Sequence, residues 1–331
     1  MCARVFLRSL KLLFAAALFC AASAYAQRTM LVIQSFEPSF RWDIDYREGL
    51  AQEVEADYRF EYFSLLPSSH TRAERSDRAA LAWERYLALA PDVVVLGDDD
   101  ALSQLASRFV RVPTPVVYLG INNNPRHYGA VGRDNITGIL ERPLLKRSIV
   151  ELSKLVKMQR VLLLFDDSLS SRAVQQEVFY GRSSLRVLGI ELELVLSSEL
   201  DEWRAAVQGA AAQHYDALFL GFHQDIFDRQ GRHIEGEALL AWVSEHASVP
   251  PFTFYDYAVG EQGTIGGFVI SGKDQGIAAA KVINQIDAGT LPGLIFPSTE
   301  LKGRLMFSSS QLQKWGIALA KVLSQNAELT D

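Results

Sequence analysis

Past residue 20 the chain has no cysteine: Cys2 and Cys20 are the two among 331 residues. Both fall in a segment with the build of a secretory leader. Arg4, Arg8 and Lys11 precede an apolar run over 12–22, and Ala24-Tyr25-Ala26 supplies an A-x-A cleavage site. The apolar part is too short to span a bilayer, and Phe19 ahead of Cys20 is too bulky for a lipidation box. Cleavage after Ala26 and residence in the periplasm are therefore expected. Removing 26 residues leaves 305, with no thiol for disulfides, nucleophilic catalysis or a cysteine-metal site. A chain of that length buries a core without such staples.

Positive charge is also scarce. The formal charge of −6 becomes −9 once the three basic residues of the leader are gone, which argues against nucleic acid and anionic membranes as partners. Beyond the leader no apolar run reaches the ~18 residues of a membrane span. Catalytic signatures are missing as well: there is no G-x-S-x-G elbow and no H-E-x-x-H. His223 and His233 are too far apart for a helical metal pair. Gly267-Phe-Val-Ile-Ser-Gly272-Lys273-Asp274 misses a phosphate-binding loop by its last residue, where an aspartate replaces the Ser or Thr that would hold magnesium. Paired carboxylates for glycoside hydrolysis leave no spacing signature. No catalytic residue, metal site or cofactor is expected.

What is present is a regular alternation. β-branched apolar runs at 30–35, 58–63, 92–96, 115–119 and 136–140 alternate with helix-length amphipathic segments, and the pattern restarts at 160–165, 190–195, 216–220, 251–254 and 264–270. Runs such as Val93-Val94-Val95-Leu96 lack polar alternation, so both faces must be covered, as in a central parallel strand. A helix capped by Ser68 or Thr71 is expected to run to Ala90 before Pro91, and another from Pro143 to about Lys157. The fold class predicted is α/β, with two doubly wound Rossmann-like lobes joined by a multi-strand hinge. The expected division is a leader over 1–26, a first lobe over 27–140 with 271–300 crossing back, a second lobe over 141–270, and a terminal segment over 301–331.

Ligands of open parallel sheets bind beyond the carboxyl ends of the strands. The residues at those places are Ser35, Phe36 and Trp42, then Asp98 and Asp99, then Asn122 and Asn123, with Glu141 after the fifth strand; the second lobe offers Asp166, Phe222, Tyr255 and Asp256. Aromatic faces and short oxygen-bearing side chains suit a small, partly apolar solute with an amine or hydroxyls. Each has a plainer reading. Asp98–Asp100 and Asp166-Asp167-Ser168 could cap helices, Asn122–Asn124 could form turns, and Phe36 and Trp42 could be packing between lobes.

Six stretches carry a resemblance. These are S-F-x-P-x-F-x-W-x-x-x-x-x-E-G at 35–49, PDVVVLGDDDAL at 91–102, PVVYLGINN at 115–123, TGILER at 137–142, GGFVISGKDQGIAAA at 266–280 and FSSSQLQKWGI at 307–317. In that order and spacing they resemble the substrate-binding proteins of ABC transporters with a type I periplasmic-binding fold, whose relatives also serve as sensor halves of histidine kinases and diguanylate cyclases. The sequence departs from that pattern in its first loop, where Phe36-Glu37 replaces a common tyrosine-histidine pair. The resemblance implies a monomeric receptor whose lobes close on a small molecule and then dock on an ABC permease in the inner membrane. The alternative partner is a separate membrane kinase or cyclase. Some members bind aromatic amino acids. No output domain follows Asp331, which favours a free-standing binding protein, and Phe36 and Trp42 are expected to wall the cleft.

Overall fold

A computed structural model describes residues 27–65, 72–299, 303–319 and 324–331. The leader and the proposed cap at Ser68 or Thr71 lie outside the described residues.

The first sheet is built from β1 (Arg28–Gln34), β2 (Tyr58–Ser64), β3 (Val93–Gly97), β4 (Val116–Ile121) and β5 (Ile136–Leu140), with α1 (Arg41–Glu53), α2 (Arg72–Leu89) and α3 (Asp98–Phe109) between them. The second contains β6 (Arg160–Phe165), β7 (Ser184–Val187), β8 (Ile190–Leu196), β9 (Ala217–Leu220) and β10 (Pro251–Thr253), with α4 (Leu145–Leu152), α5 (Leu169–Val178), α6 (Leu200–Gly209) and α7 (Gly236–His246). After β11 (Gly266–Val269), α8 (Gly272–Asp287) and β12 (Ser298–Thr299) return to the first sheet, and β13 (Arg304–Ser308), α9 (Ser309–Lys314) and β14 (Ala327–Thr330) end the chain.

Strand order in the first sheet is β12-β5-β4-β3-β1-β2, all parallel. Every residue of β3 and β4 is buried, as unbroken apolar runs require when helices cover both faces. The second sheet runs β10-β9-β6-β8-β7 and is parallel except for the edge strand β7. β7 escapes detection in the sequence because three of its four residues are at least partly exposed. It reaches β8 through Leu188 and Gly189, both with positive φ (50° and 83°), the twist a two-residue hairpin needs.

β11, β13 and β14 form a third small sheet, with β11 antiparallel to β13. The chain passes between the large sheets after β5, between β11 and α8, and between β12 and β13. α8 packs along α1, and glycines set the distance. A Cβ at Gly276 would stand 2.0 Å from Tyr46 O, and one at Gly49 2.2 Å from Lys273 O. Arg304 ties the passage together, reaching Asp256 at 2.9 Å, Asp274 at 3.5 Å and Glu328 at 3.1 Å.

The helix expected from Pro143 to Lys157 is a correction. It starts two residues later and ends at Leu152, where the Ser153 hydroxyl turns back to Val150 O at 2.9 Å and competes with the helical backbone. Among the described residues no helix is long and apolar enough to cross a membrane.

Candidate functional site

Three aspartates open α3, yet none of them caps it. Ser35, wholly buried at the end of β1, donates to Gly97 O (2.6 Å) and accepts from Ala101 N (2.9 Å), so the helix start is closed from another strand. Asp98 is thereby left for other work. It adopts a left-handed φ of 67°, uncommon without a glycine, and only 5% of it is exposed.

Asp99 has a full set of donors. It accepts from the backbone N–H groups of Asn122 (2.9 Å) and Asn123 (3.1 Å), from Tyr128 OH (3.0 Å), and from Ser170 Oγ (3.0 Å). Ser170 lies on α5, so this last bond links the two lobes. Asn123 is a turn residue, its side chain donating to Tyr128 OH and accepting from Asn124 N.

Asp43, Asp98 and Glu141 are buried acids with an oxygen to spare. Gln34 donates to one oxygen of Asp43 at 3.0 Å, while Asp43 Oδ1, Asp98 Oδ2 and Glu141 Oε1 make no hydrogen bond. Burial pushes Glu141 up to about 8 and Asp43 up to about 7. Asp98 is raised well above the usual carboxylate range by burial, then by the charges of Asp43, Glu141 and Asp99. Asn122, also buried, keeps its side-chain oxygen unpaired beside Glu141.

The second lobe supplies rings. Tyr255 is fully buried and stacks on Tyr257, with centroids 5.4 Å apart. Trp42 of the first lobe meets Tyr255 edge-on at 5.9 Å and Tyr257 at 6.2 Å. Phe40 meets Tyr257 at 5.2 Å, and Phe36 meets Phe40 at 5.1 Å. Phe222 packs on Tyr255 at 5.0 Å. Asp166 is complete: Ser168 N, Gln224 N and Asp225 N donate at 3.1–3.2 Å, and Ser171 Oγ at 2.7 Å. Buried His223 is held neutral, its value lowered to about 4, and its Nδ1–H donates to Gly221 O at 2.9 Å.

These elements surround a cavity of about 370 Å³ to which both lobes contribute, Phe36, Phe40 and Asp100 from the first and His223, Phe227 and Tyr257 from the second. Tyr257 lines this cavity, and burial, then the nearby acids Glu141, Asp166, Asp256 and Asp98, raise its hydroxyl well above the ordinary value; none of those four acids lines the cavity itself.

The residues picked out from the sequence therefore divide. Phe36 lines the cavity, whereas Asp98, Asn122, Glu141, Phe222 and Tyr255 do not; Trp42, 3% exposed, packs against the tyrosines of the other lobe and stands as a donor to Asp98. Ser35, Asp99, Asn123 and Asp166 are occupied with backbone donors, and Asp256 is held by Arg304 at the passage between sheets. Phe40, Asp100 and Tyr257, which belong to the same strand-end stretches, line the cavity as well, and Asp43, which the sequence does not single out, is the further buried acid beside Asp98. Tyr257 stands two residues beyond Tyr255 in the same loop, whereas Asp43 looks in sequence like an ordinary first-turn acid of α1. Among the described residues no three acids or histidines converge to hold a metal ion.

No family model matches the sequence, and no curated protein matches it. Solved structures do. A domain from Streptococcus pneumonia described as an ABC domain in complex with L-Trp superposes with a TM-score of 0.66 at 19% identity, over 92% of this chain and 100% of that one. A conserved domain protein from Vibrio cholerae gives 0.67 at 16% identity over the same shares. A ligand-free, open substrate-binding protein with adhesive properties from Clostridium difficile gives 0.62 at 11%, over 92% of this chain and 99% of that one. At these identities the likeness is one of fold: the chain has the two-lobed α/β architecture of these structures, as the strand pattern predicts and as the resemblance to the type I periplasmic-binding fold implies.

Proposed function

We propose that this protein is an exported receptor that captures a small molecule between its lobes and delivers it to an ABC permease in the inner membrane. The observation that carries the reading is the cavity bounded from both sides by loops at the carboxyl ends of parallel strands. That is where open α/β sheets bind ligands, and a chain passing between the lobes along several paths gives a hinge rather than a loose tether. The L-Trp complex and the open, ligand-free relative of the same fold support a cycle of capture and closure. No step of bond making is needed. Affinity in the micromolar range requires only about −8 kcal/mol, within reach of stacked rings and a few charge-assisted hydrogen bonds.

Protein purified from the periplasm without refolding is expected to release one defined metabolite on denaturation, identified by mass spectrometry. Returning that metabolite to stripped protein should raise the melting temperature, since ligand at a hundred times its dissociation constant stabilises by about 2.7 kcal/mol. A stripped protein unmoved by every released compound would contradict the reading.

A further inference from the structure

We propose that the solute held in the interlobe site is an organic cation, an amine carrying no carboxylate. The inference rests on the receptor reading above and specifies its ligand.

A carboxylate on the ligand would need backbone N–H groups at the loop ends or a free guanidinium. Many of the loop-end donors are filled by the protein itself, and the two first turns at the cavity that no side chain caps carry acids, Asp43 on α1 and Glu237 after Glu235 on α7. Asp99 takes Asn122 N and Asn123 N, Asp166 takes Ser168 N, Gln224 N and Asp225 N, and Ser35 takes Ala101 N. The arginines nearby are engaged too. Arg41 pairs with Asp45 at 3.0 Å, and Arg142 Nη1 donates to the carbonyls of Ile121, Asn122 and Glu141. Arg47 reaches Asp43 O and Pro38 O.

The unfilled side-chain oxygens have the opposite character. Asp43 Oδ1, Asp98 Oδ2 and Glu141 Oε1 are acceptors on side chains no more than 5% exposed, and each lacks a partner of its own although Gln34, Trp42, and Tyr255 with Asn122 stand as donors to the three groups. A buried carboxylate short of donors is costly unless it is protonated or paired with a cation. Glu141 stands within hydrogen-bonding reach of the Tyr255 hydroxyl of the opposite lobe and Asp98 within that of Trp42, and Trp42, Tyr255 and Tyr257 pack on one another, so these acids adjoin the rings where the lobes meet. The cavity wall continues the trend with Glu37, Glu235 and Glu237. Because no three of these groups converge on a metal-holding point, the complement is an ammonium spread over an organic body. Tyrosine and phenylalanine faces receive such a body through cation–π contact.

Matched probes test the charge alone. Dialysed mature protein would be titrated calorimetrically with phenethylamine, phenylalanine and 3-phenylpropionate, with tryptamine, tryptophan and indole-3-propionate, and with agmatine and choline. At least one cation is expected to bind ten times more tightly than its zwitterionic or anionic counterpart. Glu141→Gln and Asp98→Asn should each weaken that cation tenfold or more without lowering the melting temperature. A zwitterion or anion that binds as tightly as its cationic counterpart, or variants that keep full affinity, would overturn the proposal. If such a solute also compacts the protein, the receptor reading stands and only the charge assignment fails. If no probe binds and natively purified protein releases nothing, both fall.

Discussion

Asp98 and Asp166 occupy corresponding places, each one residue past a buried parallel strand of its own lobe, β3 and β6. Their surroundings differ. Asp166 accepts from three backbone N–H groups and a serine hydroxyl, which fix the loops after β6 and β9. Asp98 sits in a left-handed backbone with one oxygen unpaired, and Asp43 and Glu141 beside it are equally incomplete. The second lobe answers with stacked tyrosines in place of charge. The same fold position is thus saturated in one lobe and left with a spare oxygen in the other, and the ligand role proposed for Asp98 rests on that difference.

Substitutions should separate these roles, beginning with the largest effect. Joint replacement Asp98→Asn with Glu141→Gln is expected to weaken cation binding by a hundredfold or more while making the empty protein more resistant to heat, because repulsion among buried acids is relieved. Calorimetric titration and a thermal melt check both halves. Asp166→Ala should behave oppositely, removing about 2–3 kcal/mol of stability by stranding buried donors; urea unfolding would read it. Trp42→Ala belongs with that class, since burial against the tyrosines makes loss of the ring a cavity costing about 3 kcal/mol.

A smaller effect is electrostatic. Between pH 6.5 and 8 the folded chain still holds protons on Glu141 and Asp43 that the unfolded chain has lost, and these outweigh the partial proton that His223 gains on unfolding at the lower end of that range. Stability of the empty protein should therefore fall as pH rises from 6.5 to 8. Glu141→Gln should flatten the slope. Cation binding at pH 7 should expel protons, so its apparent heat should change with the ionisation enthalpy of the buffer. The smallest effect expected is a severalfold loss of affinity in Phe36→Leu, which keeps the apolar wall and removes one ring face.

Much of this architecture was legible beforehand. Val93–Leu96 and Val161–Phe165 announce buried parallel strands by their unbroken apolar runs, and the restart of the pattern at 160 announces a second lobe. The positions of Asp98, Glu141, Phe222 and Tyr255 follow from the rule that ligands gather at carboxyl ends. Occupancy was not legible. Whether Asp99 is free depends on Ser170, 71 residues away, and whether Asp166 is free depends on loop N–H groups 58 and 59 residues on. Nor does sequence reveal that Ser35 caps α3 from 66 residues before it. Such facts are properties of loops brought together by the finished fold, and local spacing carries no trace of them.

The most direct test is small-angle X-ray scattering on the mature protein, stripped and then saturated with the tightest-binding amine as judged by calorimetry. Closure of two lobes on a cation predicts a smaller radius of gyration in the saturated sample, with the joint Asp98→Asn and Glu141→Gln variant keeping the larger radius at a concentration ten times the wild-type dissociation constant. Identical profiles for a wild-type sample known to be saturated would contradict it.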